Sequence, residues 1–124
     1  MLVSPLRSDL PDAAGAEWFS INPGTDTALM LALTHVLVAD GKHDLNFLET
    51  YCTGWDQFEP YLMGRSDGVP KNPAWASAIC GVAAVEIAAL ARSLVGKRVL
   101  VAVAHSLQRA EHGEQPVWMA AVLA

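Results

Sequence analysis

The stretch Trp18-Phe-Ser-Ile-Asn-Pro-Gly-Thr-Asp26 decides the fold of this chain. Four residues of strand character, Trp18 to Ile21, run into a Pro-Gly turn, and an acidic residue then opens a long apolar helix. In an α/β protein such a junction lies at the carboxyl end of a strand, which is where ligands bind. The stretch therefore predicts a strand, a binding loop and a helix, in that order.

Asp26 has two alternative roles at this junction. Thr25 and Asp26 are both residue types that accept hydrogen bonds from the free N–H groups of a helix N-terminus. A carboxylate can also accept two parallel hydrogen bonds from a planar pair of donors, and the Watson–Crick edge of guanine offers such a pair. The same carboxylate would repel a phosphate. Local chemistry alone favours the helix cap, and guanine recognition is the functional alternative.

The composition is unusually apolar for a chain of 124 residues, which is long enough for one domain with a modest core. Hydrophobic residues make up 52% of the chain and charged residues 17%, whereas soluble domains carry about 25% charged residues. No apolar run reaches about 18 residues, so a membrane span is not expected. The N-terminus lacks the pattern of a secretory signal. We therefore expect a surface that is buried against a partner subunit or the rest of a larger protein.

Charge and cysteine content argue against two classes of site. A formal charge of −5 with 8 basic residues argues against nucleic-acid binding, which needs a basic stripe. Cys52 and Cys80 form no CxxC pair, and two such thiols in an apolar chain are typical of reduced core residues in a reducing compartment. The 4 histidines do not have the spacing of a zinc finger.

Hydrophobic periodicity predicts three strands and six helices, with a polar connection over residues 8–15 between the first two strands and helices before the third. The strand candidates are Leu2–Val3, Trp18–Ile21 and Arg98–Ala104, of which the last is β-branched and apolar, as in a parallel strand covered on both faces. Helices are expected over 26–39, 44–51, 56–63, 73–79 and 82–95, with a last one beginning at 115 or 116 and reaching 124. The first helix is apolar nearly all round, so it should be covered on more than one side. The order of elements predicts one α/β domain with parallel strands flanked by helices.

That topology places the loops after Ile21 and Ala104 on the same edge of the sheet, so they are expected to share a binding site. In the second loop, Arg109 carries a planar, permanently charged guanidinium group that is suited to a phosphate or a negatively polarised oxygen. The alternative is that Arg109 pairs with Glu111 or Glu114 on the surface, which would contribute little.

His105 and His112 are candidate acid–base residues, although histidines near strand ends are more often hydrogen-bonded structural residues. Neither lies near a Ser or Cys that would form a credible nucleophile pair. A small independent enzyme that uses Arg109 with one of these histidines therefore lacks support. No phosphate-binding GxGxxG or GxxxxGK[ST] follows a strand, so a nucleotide would not be held in the Rossmann or P-loop manner.

Three segments resemble the molybdopterin oxidoreductases. The segment Trp18-Phe-Ser-Ile-Asn-Pro-Gly-Thr-Asp-Thr-Ala-Leu-Met-Leu-Ala-Leu-Thr-His35 carries the general likeness. Arg65-Ser-Asp-Gly-Val-Pro-Lys71 followed by Trp75, and Ser106-Leu-Gln-Arg-Ala-Glu-His-Gly-Glu-Gln-Pro-Val-Trp118, narrow it to the branch of S-oxide and N-oxide reductases. That branch comprises biotin sulfoxide, dimethyl sulfoxide and trimethylamine N-oxide reductases, and the pattern is most similar to the first. The likeness covers essentially the whole chain in one order.

The resemblance implies a fold, a cofactor and a set of contacts. The fold would be a Rossmann-like layered domain, and the cofactor bis(molybdopterin guanine dinucleotide) molybdenum. Gly24, Thr25 and Asp26 would contact the guanosine portion, with Asp26 on the guanine edge, and Ser4 would lie near the same nucleotide. The residues implied on the pterin side, near the molybdenum and the substrate funnel, are His105, Ser106 and Arg109.

The resemblance also implies that residues 1–124 are one cofactor-binding domain of a much longer reductase. The chain begins beside a strand and ends within a helix, as a piece of such an enzyme would. It is expected to bind the guanosine portion of the cofactor, to pack against the remaining domains and to be inactive alone. The intact protein is expected in the cytoplasm, or in the periplasm if it carries an export signal. The alternative is a non-catalytic module whose exposed apolar helices self-associate or dock on a partner. Neither nucleic acid nor a membrane is expected as a partner in either case.

Overall fold

Two short parallel strands form the only sheet in a computed structural model that describes residues 1–124. Strand β1 is Leu2–Val3 and strand β2 is Trp18–Phe19. Leu2 lies beside Trp18, and Val3 lies beside Phe19. The connection between the strands contains two single turns of 3-10 helix, Arg7–Asp9 and Asp12–Ala14. The predicted second strand is therefore real but ends two residues earlier than expected.

Six α-helices follow the strands, and all six were predicted. They are α1, Asp26–Ala39; α2, Leu45–Tyr51; α3, Trp55–Leu62; α4, Pro73–Cys80; α5, Ala84–Leu94; and α6, Glu114–Leu123. Each begins and ends within two residues of its predicted bounds. Together with the 3-10 turns, helices comprise 56% of the residues.

Local capping explains why the helix ends could be predicted. The Asp44 carboxylate accepts a hydrogen bond of 2.9 Å from the backbone N–H of Phe47 and so caps α2. The Asn72 side chain accepts a bond of 2.9 Å from the N–H of Trp75 and caps α4. Beyond the end of α1, Gly41 has a φ of 63°, a left-handed conformation that glycine adopts without steric cost. These caps satisfy backbone groups that a helix end leaves unpaired.

Helix α1 lies at the centre of the protein and is covered on two sides, as its composition predicts. One side packs with β2, α4 and α5 in a cluster of buried residues: Phe19, Ile21, Leu29, Ala32, Leu33, Val36, Ala76, Cys80, Val82, Ile87, Leu90 and Ala91. The other side packs against α3 and α6 in a smaller cluster: Met30, Leu31, Leu62, Met119 and Ala120. Helix α1 is therefore fixed by packing along most of its length, and this packing also holds its first turn in place.

The predicted strand Arg98–Ala104 is wrong. The segment belongs to no sheet, and none of its backbone N–H groups donates to a backbone carbonyl. Val101 packs against the smaller core cluster, whereas Leu100 is 89% exposed. A strand needs a neighbour to bond with, and the β1–β2 pair does not extend to this segment. The protein thus has one pair of parallel strands together with helices, but it does not have the predicted layered sheet.

The surface carries many large apolar side chains. The most exposed are Leu100, Val85, Tyr51, Trp118, Leu6 and Met1. No single helix has the length and apolar character needed to span a membrane; α4 and α5 would satisfy both only as a pair, with a bend of 117° between them.

Of the two free cysteines, Cys80 is in the core as predicted. The prediction of a core position is wrong for Cys52, which is exposed. Cys52 follows α2, a helix with no buried residue.

Candidate functional site

The loop between β2 and α1 is a tight turn closed by a side chain. Its sequence Asn22-Pro-Gly-Thr25 suits a type II turn, in which proline fixes φ at the second position and the third needs a positive φ. Gly24 has a φ of 75°. The Thr25 hydroxyl donates a hydrogen bond of 2.6 Å to the backbone carbonyl of Asn22 and closes the turn. Thr25 is thus occupied within the turn and gives no side-chain cap to α1.

The same loop is attached to the end of helix α4. The backbone N–H of Asn22 donates to the carbonyl of Cys80 at 2.9 Å, and its side-chain amide donates to the carbonyl of Ile79 at 3.1 Å. Both acceptors belong to the last turn of α4, whose carbonyls lack partners within the helix. The loop after β2 is therefore fixed both to the strand that precedes it and to a second helix.

Asp26 is the first residue of α1 and is partly buried. The predicted capping role is wrong, because Thr25 occupies the cap position and no backbone N–H at the helix start bonds to either side chain. The Asp26 carboxylate forms none of the protein's hydrogen bonds or ion pairs. A negative charge is favoured at this end of a helix, where the unpaired N–H groups carry partial positive charge. The carboxylate is thus free to accept hydrogen bonds from a ligand.

Ser4, at the end of β1, is engaged within the protein. It is 6% exposed. Its hydroxyl donates to the carboxylate of Asp9 and accepts from the N–H of Leu6 at 3.1 Å. Its carbonyl accepts from the indole N–H of Trp18 at 2.8 Å. These bonds shape the chain where it leaves the sheet, so the visible role of Ser4 is structural.

The second predicted loop forms a turn of 3-10 helix, His105–Arg109, that packs against α6. Within it, the amide nitrogen of Gln108 lies 2.6 Å from Nε2 of His105. No hydrogen bond or ion pair connects this turn with the loop that precedes α1. The predicted convergence depended on a strand at 98–104, and without that strand the chain does not bring the two loops to one sheet edge.

Arg109 is exposed and forms no ion pair, so the predicted alternative of surface pairing with Glu111 or Glu114 is not observed. His112 takes that place instead, with ring nitrogens 3.9 Å from a carboxylate oxygen of each glutamate. His112 also has a φ of 56°, which is uncommon for a residue with a side chain. Arg109, like Asp26, is available to a ligand.

Sequence reasoning missed a buried cation at Lys71, which is 3% exposed. Its ammonium group lies 2.5 Å from a carboxylate oxygen of Asp67, 2.5 Å from the carbonyl oxygen of Val69, and 4.2 Å from the centroid of the Tyr61 ring. The hydrogen bond from Lys71 lowers the pKa of Asp67 below its ordinary value. The signal in the sequence was the spacing of an acid and a base by four residues within a glycine- and proline-rich loop.

Two cavities lie outside the loop that precedes α1. One, of about 530 Å³, lies between the strands and the 3-10 turns and is bordered by Arg7, Asp12 and Trp18. The other, of about 510 Å³, is lined by Gln108, Glu114, Val117 and Trp118. Their volumes alone do not identify a site, because both are open and the free carboxylate of Asp26 borders neither. No group of three or more His, Cys, Asp or Glu side chains is arranged to hold a metal ion.

The family model for molybdopterin oxidoreductases matches residues 8–124. The chain therefore belongs to the molybdopterin oxidoreductase family.

Within this family the chain is similar to sulfoxide and N-oxide reductases. It is 50% identical over 124 residues to the biotin sulfoxide reductase of Cereibacter sphaeroides, covering 100% of this chain and 17% of the relative. It is 47% identical over 122 residues to a dimethyl sulfoxide/trimethylamine N-oxide reductase of the same species, covering 98% and 15%. A trimethylamine-N-oxide reductase of Salmonella typhi is 50% identical over 125 residues, with the same coverage of 98% and 15%. The chain thus spans about a sixth of the length of these relatives.

Proposed function

We propose that this chain binds the guanosine portion of a molybdopterin guanine dinucleotide, as one part of a molybdenum-dependent sulfoxide or N-oxide reductase. Membership of the family supports the molybdopterin cofactor. The three relatives described above, all named as sulfoxide or N-oxide reductases, support the reaction class. The guanine dinucleotide form of the cofactor rests on the chemistry of Asp26.

The observation that carries the proposal is the unpaired carboxylate of Asp26 at the start of α1. Its two oxygens match the adjacent N1–H and exocyclic amine of guanine, which can donate two parallel hydrogen bonds. Adenine presents an acceptor in place of N1–H, so the same carboxylate would repel it. Asp26 would therefore select guanine over adenine as well as bind it.

The neighbouring residues fit a nucleotide that lies against the turn. A β-carbon built on Gly24 would have no atom within 4 Å, so the backbone there is open to a ligand. The Thr25 hydroxyl donates to the carbonyl of Asn22. Of these two side chains, only the Asp26 carboxylate has no hydrogen-bond partner within the protein. When bound, the cofactor would supply the two-electron chemistry by which oxygen leaves the substrate as water. The part of this chain would be to hold the nucleotide end in a fixed position.

The second loop would contribute from the pterin side. Arg109 has an unpaired guanidinium, and His105 and Ser106 are exposed beside it. In the whole reductase, we infer that strands from elsewhere pair with the segment at 98–104 and complete a Rossmann-like layered sheet. Such a sheet would bring both loops to one edge. Ser4 would then stabilise the adjacent turn without touching the nucleotide directly.

Nucleotide binding by the purified chain tests the proposal. Isothermal titration should detect GDP binding, with ADP bound more weakly. Asp26→Asn should weaken GDP binding by about 10- to 100-fold, because a hydrogen bond to a charged acceptor contributes more than a neutral one. Asp56→Asn is a matched control, since Asp56 is also an acidic residue in the first turn of a helix. Equal binding of GDP and ADP, or no GDP binding at millimolar ligand, would contradict the proposal.

A second candidate function is self-association through apolar surface. The observation that favours it is the exposure of Leu100, Val85 and Trp118, which lie on three separate segments. Sedimentation velocity should then show concentration-dependent dimers, and Leu100→Lys should reduce them. A monomer at all concentrations excludes this candidate.

A further inference from the structure

We propose that Asn22 is the positioning residue of the nucleotide-binding loop: it fixes the turn to helix α4 so that Asp26 meets the guanine edge in the correct orientation. This inference rests on the function proposed above and adds a residue that does not itself touch the nucleotide. It also makes the end of α4 part of the binding apparatus.

Asn22 forms more hydrogen bonds across the fold than any other residue of the loop. Its backbone N–H and side-chain amide donate to consecutive carbonyls of α4, those of Cys80 at 2.9 Å and Ile79 at 3.1 Å. Its own carbonyl accepts from the Thr25 hydroxyl at 2.6 Å. One residue thus joins the end of the strand, the end of a second helix and the last residue before α1.

Packing against Gly81 reinforces these bonds. Gly81 has a φ of 81°, and a β-carbon built on it would lie 3.2 Å from both polar atoms of the Asn22 amide. A side chain at this position would be strained in its backbone and would press on the amide. The close approach of Asn22 to the end of α4 therefore requires glycine at position 81.

The effect of Asn22 on Asp26 follows from the shortness of the connection. Pro23, Gly24 and Thr25 are the only residues between them, and proline has little freedom of φ. This three-residue connection is held at both ends. The core fixes helix α1 at one end, and the bonds of Asn22 to α4 fix the other. With both ends held, the open backbone at Gly24 and the carboxylate keep one relative orientation before any ligand arrives. A ligand then binds without the loss of freedom that ordering a loop would cost.

A purely structural role for Asn22 would give a different result from a positioning role. A structural residue lowers the stability of the protein and leaves nucleotide selectivity intact in the folded fraction. A positioning residue changes the preference for GDP over ADP, because only guanine uses the orientation of Asp26. Selectivity well below the melting temperature is therefore the decisive measurement.

The test measures GDP and ADP affinity for the wild-type chain, Asn22→Ala and Gly81→Ala. Asn46→Ala is the control, since its side chain is exposed and forms no hydrogen bond. We expect Asn22→Ala and Gly81→Ala each to lose about tenfold in GDP affinity with little change for ADP, and the control to match wild type. Should Asn22→Ala keep the wild-type ratio of GDP to ADP affinity, the positioning role is wrong and the proposed function stands. Should the wild-type chain bind no GDP, both are wrong.

A measurement on the unaltered chain covers the case in which a variant fails to fold. In NMR spectra of the wild-type protein, the backbone N–H of Asn22 should exchange slowly with solvent before any nucleotide is added, because its hydrogen bond to the Cys80 carbonyl already fixes the turn. If GDP binds although this N–H exchanges as fast as in an unstructured chain, the inference is overturned.

Discussion

The ammonium group of Lys71 lies 2.5 Å from a carboxylate oxygen of Asp67, although the Lys71 side chain is only 4% exposed. A charge in such a position needs partners, because removal from water strongly disfavours the charged form. The Val69 carbonyl and the faces of Tyr61 and Trp75 complete its surroundings. The loop that leads into α4 is therefore folded around one buried cation.

Replacement of this cation should destabilise the protein. Lys71→Met keeps the length of the side chain and removes the charge, so Asp67 and the Val69 carbonyl lose their donor. We expect the melting temperature to fall by about 5–10 °C in differential scanning calorimetry. Lys97→Met, at an exposed position, is the control and should change it by less than about 2 °C. Equal effects of the two variants would show that the buried ion pair does not stabilise the fold.

Acid should remove the contribution of a second ion pair. The hydrogen bond from Arg92 at 2.8 Å lowers the pKa of Asp40 below 3.8. Since the folded state has the lower pKa, this contribution is present above pH 3.8 and is lost as the pH falls through the folded value. Urea unfolding should show wild type slightly more stable than Asp40→Asn at neutral pH, with the gap closing as the pH falls below 3.8. A gap that persists in acid contradicts this assignment.

A partly buried histidine should give a separate pH dependence nearer to neutrality. Burial lowers the pKa of His35 from 6.5, and its Nδ1 has no hydrogen-bond partner. Because the folded state resists protonation, its contribution is complete above pH 6.5 and declines at lower pH. We expect the free energy of unfolding to fall as the pH drops below 6.5, and His35→Gln to flatten this slope. A slope that survives His35→Gln would exclude His35 as its source.

Core packing between α1 and α5 gives a fourth prediction. Ile87 on α5 is 0% exposed, so Ile87→Ala leaves a cavity and should lower the free energy of unfolding by about 2–5 kcal/mol. Val85→Ala lies on the same helix but at a side chain that is 76% exposed, and should cost less than about 0.5 kcal/mol. Chemical denaturation of the two variants measures both values. A loss at Ile87 no larger than that at Val85 would show that this face of α5 is not packed as described.

The helices could be predicted from the sequence because their signals are local. An asparagine before Pro73, an aspartate before Leu45 and a glycine beyond Ala39 mark helix ends through bonds to nearby backbone. The strand at 98–104 could not be decided in this way. Its β-branched apolar residues suit a strand, but strand formation depends on a partner elsewhere, which no local pattern supplies.

The candidate site was predictable in part for the same reason. The turn at 22–25 and the position of Asp26 follow from proline, glycine and the start of a helical pattern. The loss of the cap could not be foreseen, because it depends on the Thr25 hydroxyl bonding to Asn22. The attachment of Asn22 to α4 joins residues that are 57 positions apart, and periodicity carries no information about such a contact.

The segment from Arg98 to Ala104, whose N–H groups donate to no backbone carbonyl, also determines where the chain is open to cleavage. A protease needs several residues of extended, accessible backbone, and this run offers them between α5 and the last helix. Limited digestion with an elastase-type enzyme should therefore yield a large amino-terminal fragment and a small carboxyl-terminal one. Because α6 packs on α1, the nicked halves should still migrate together until denaturant separates them.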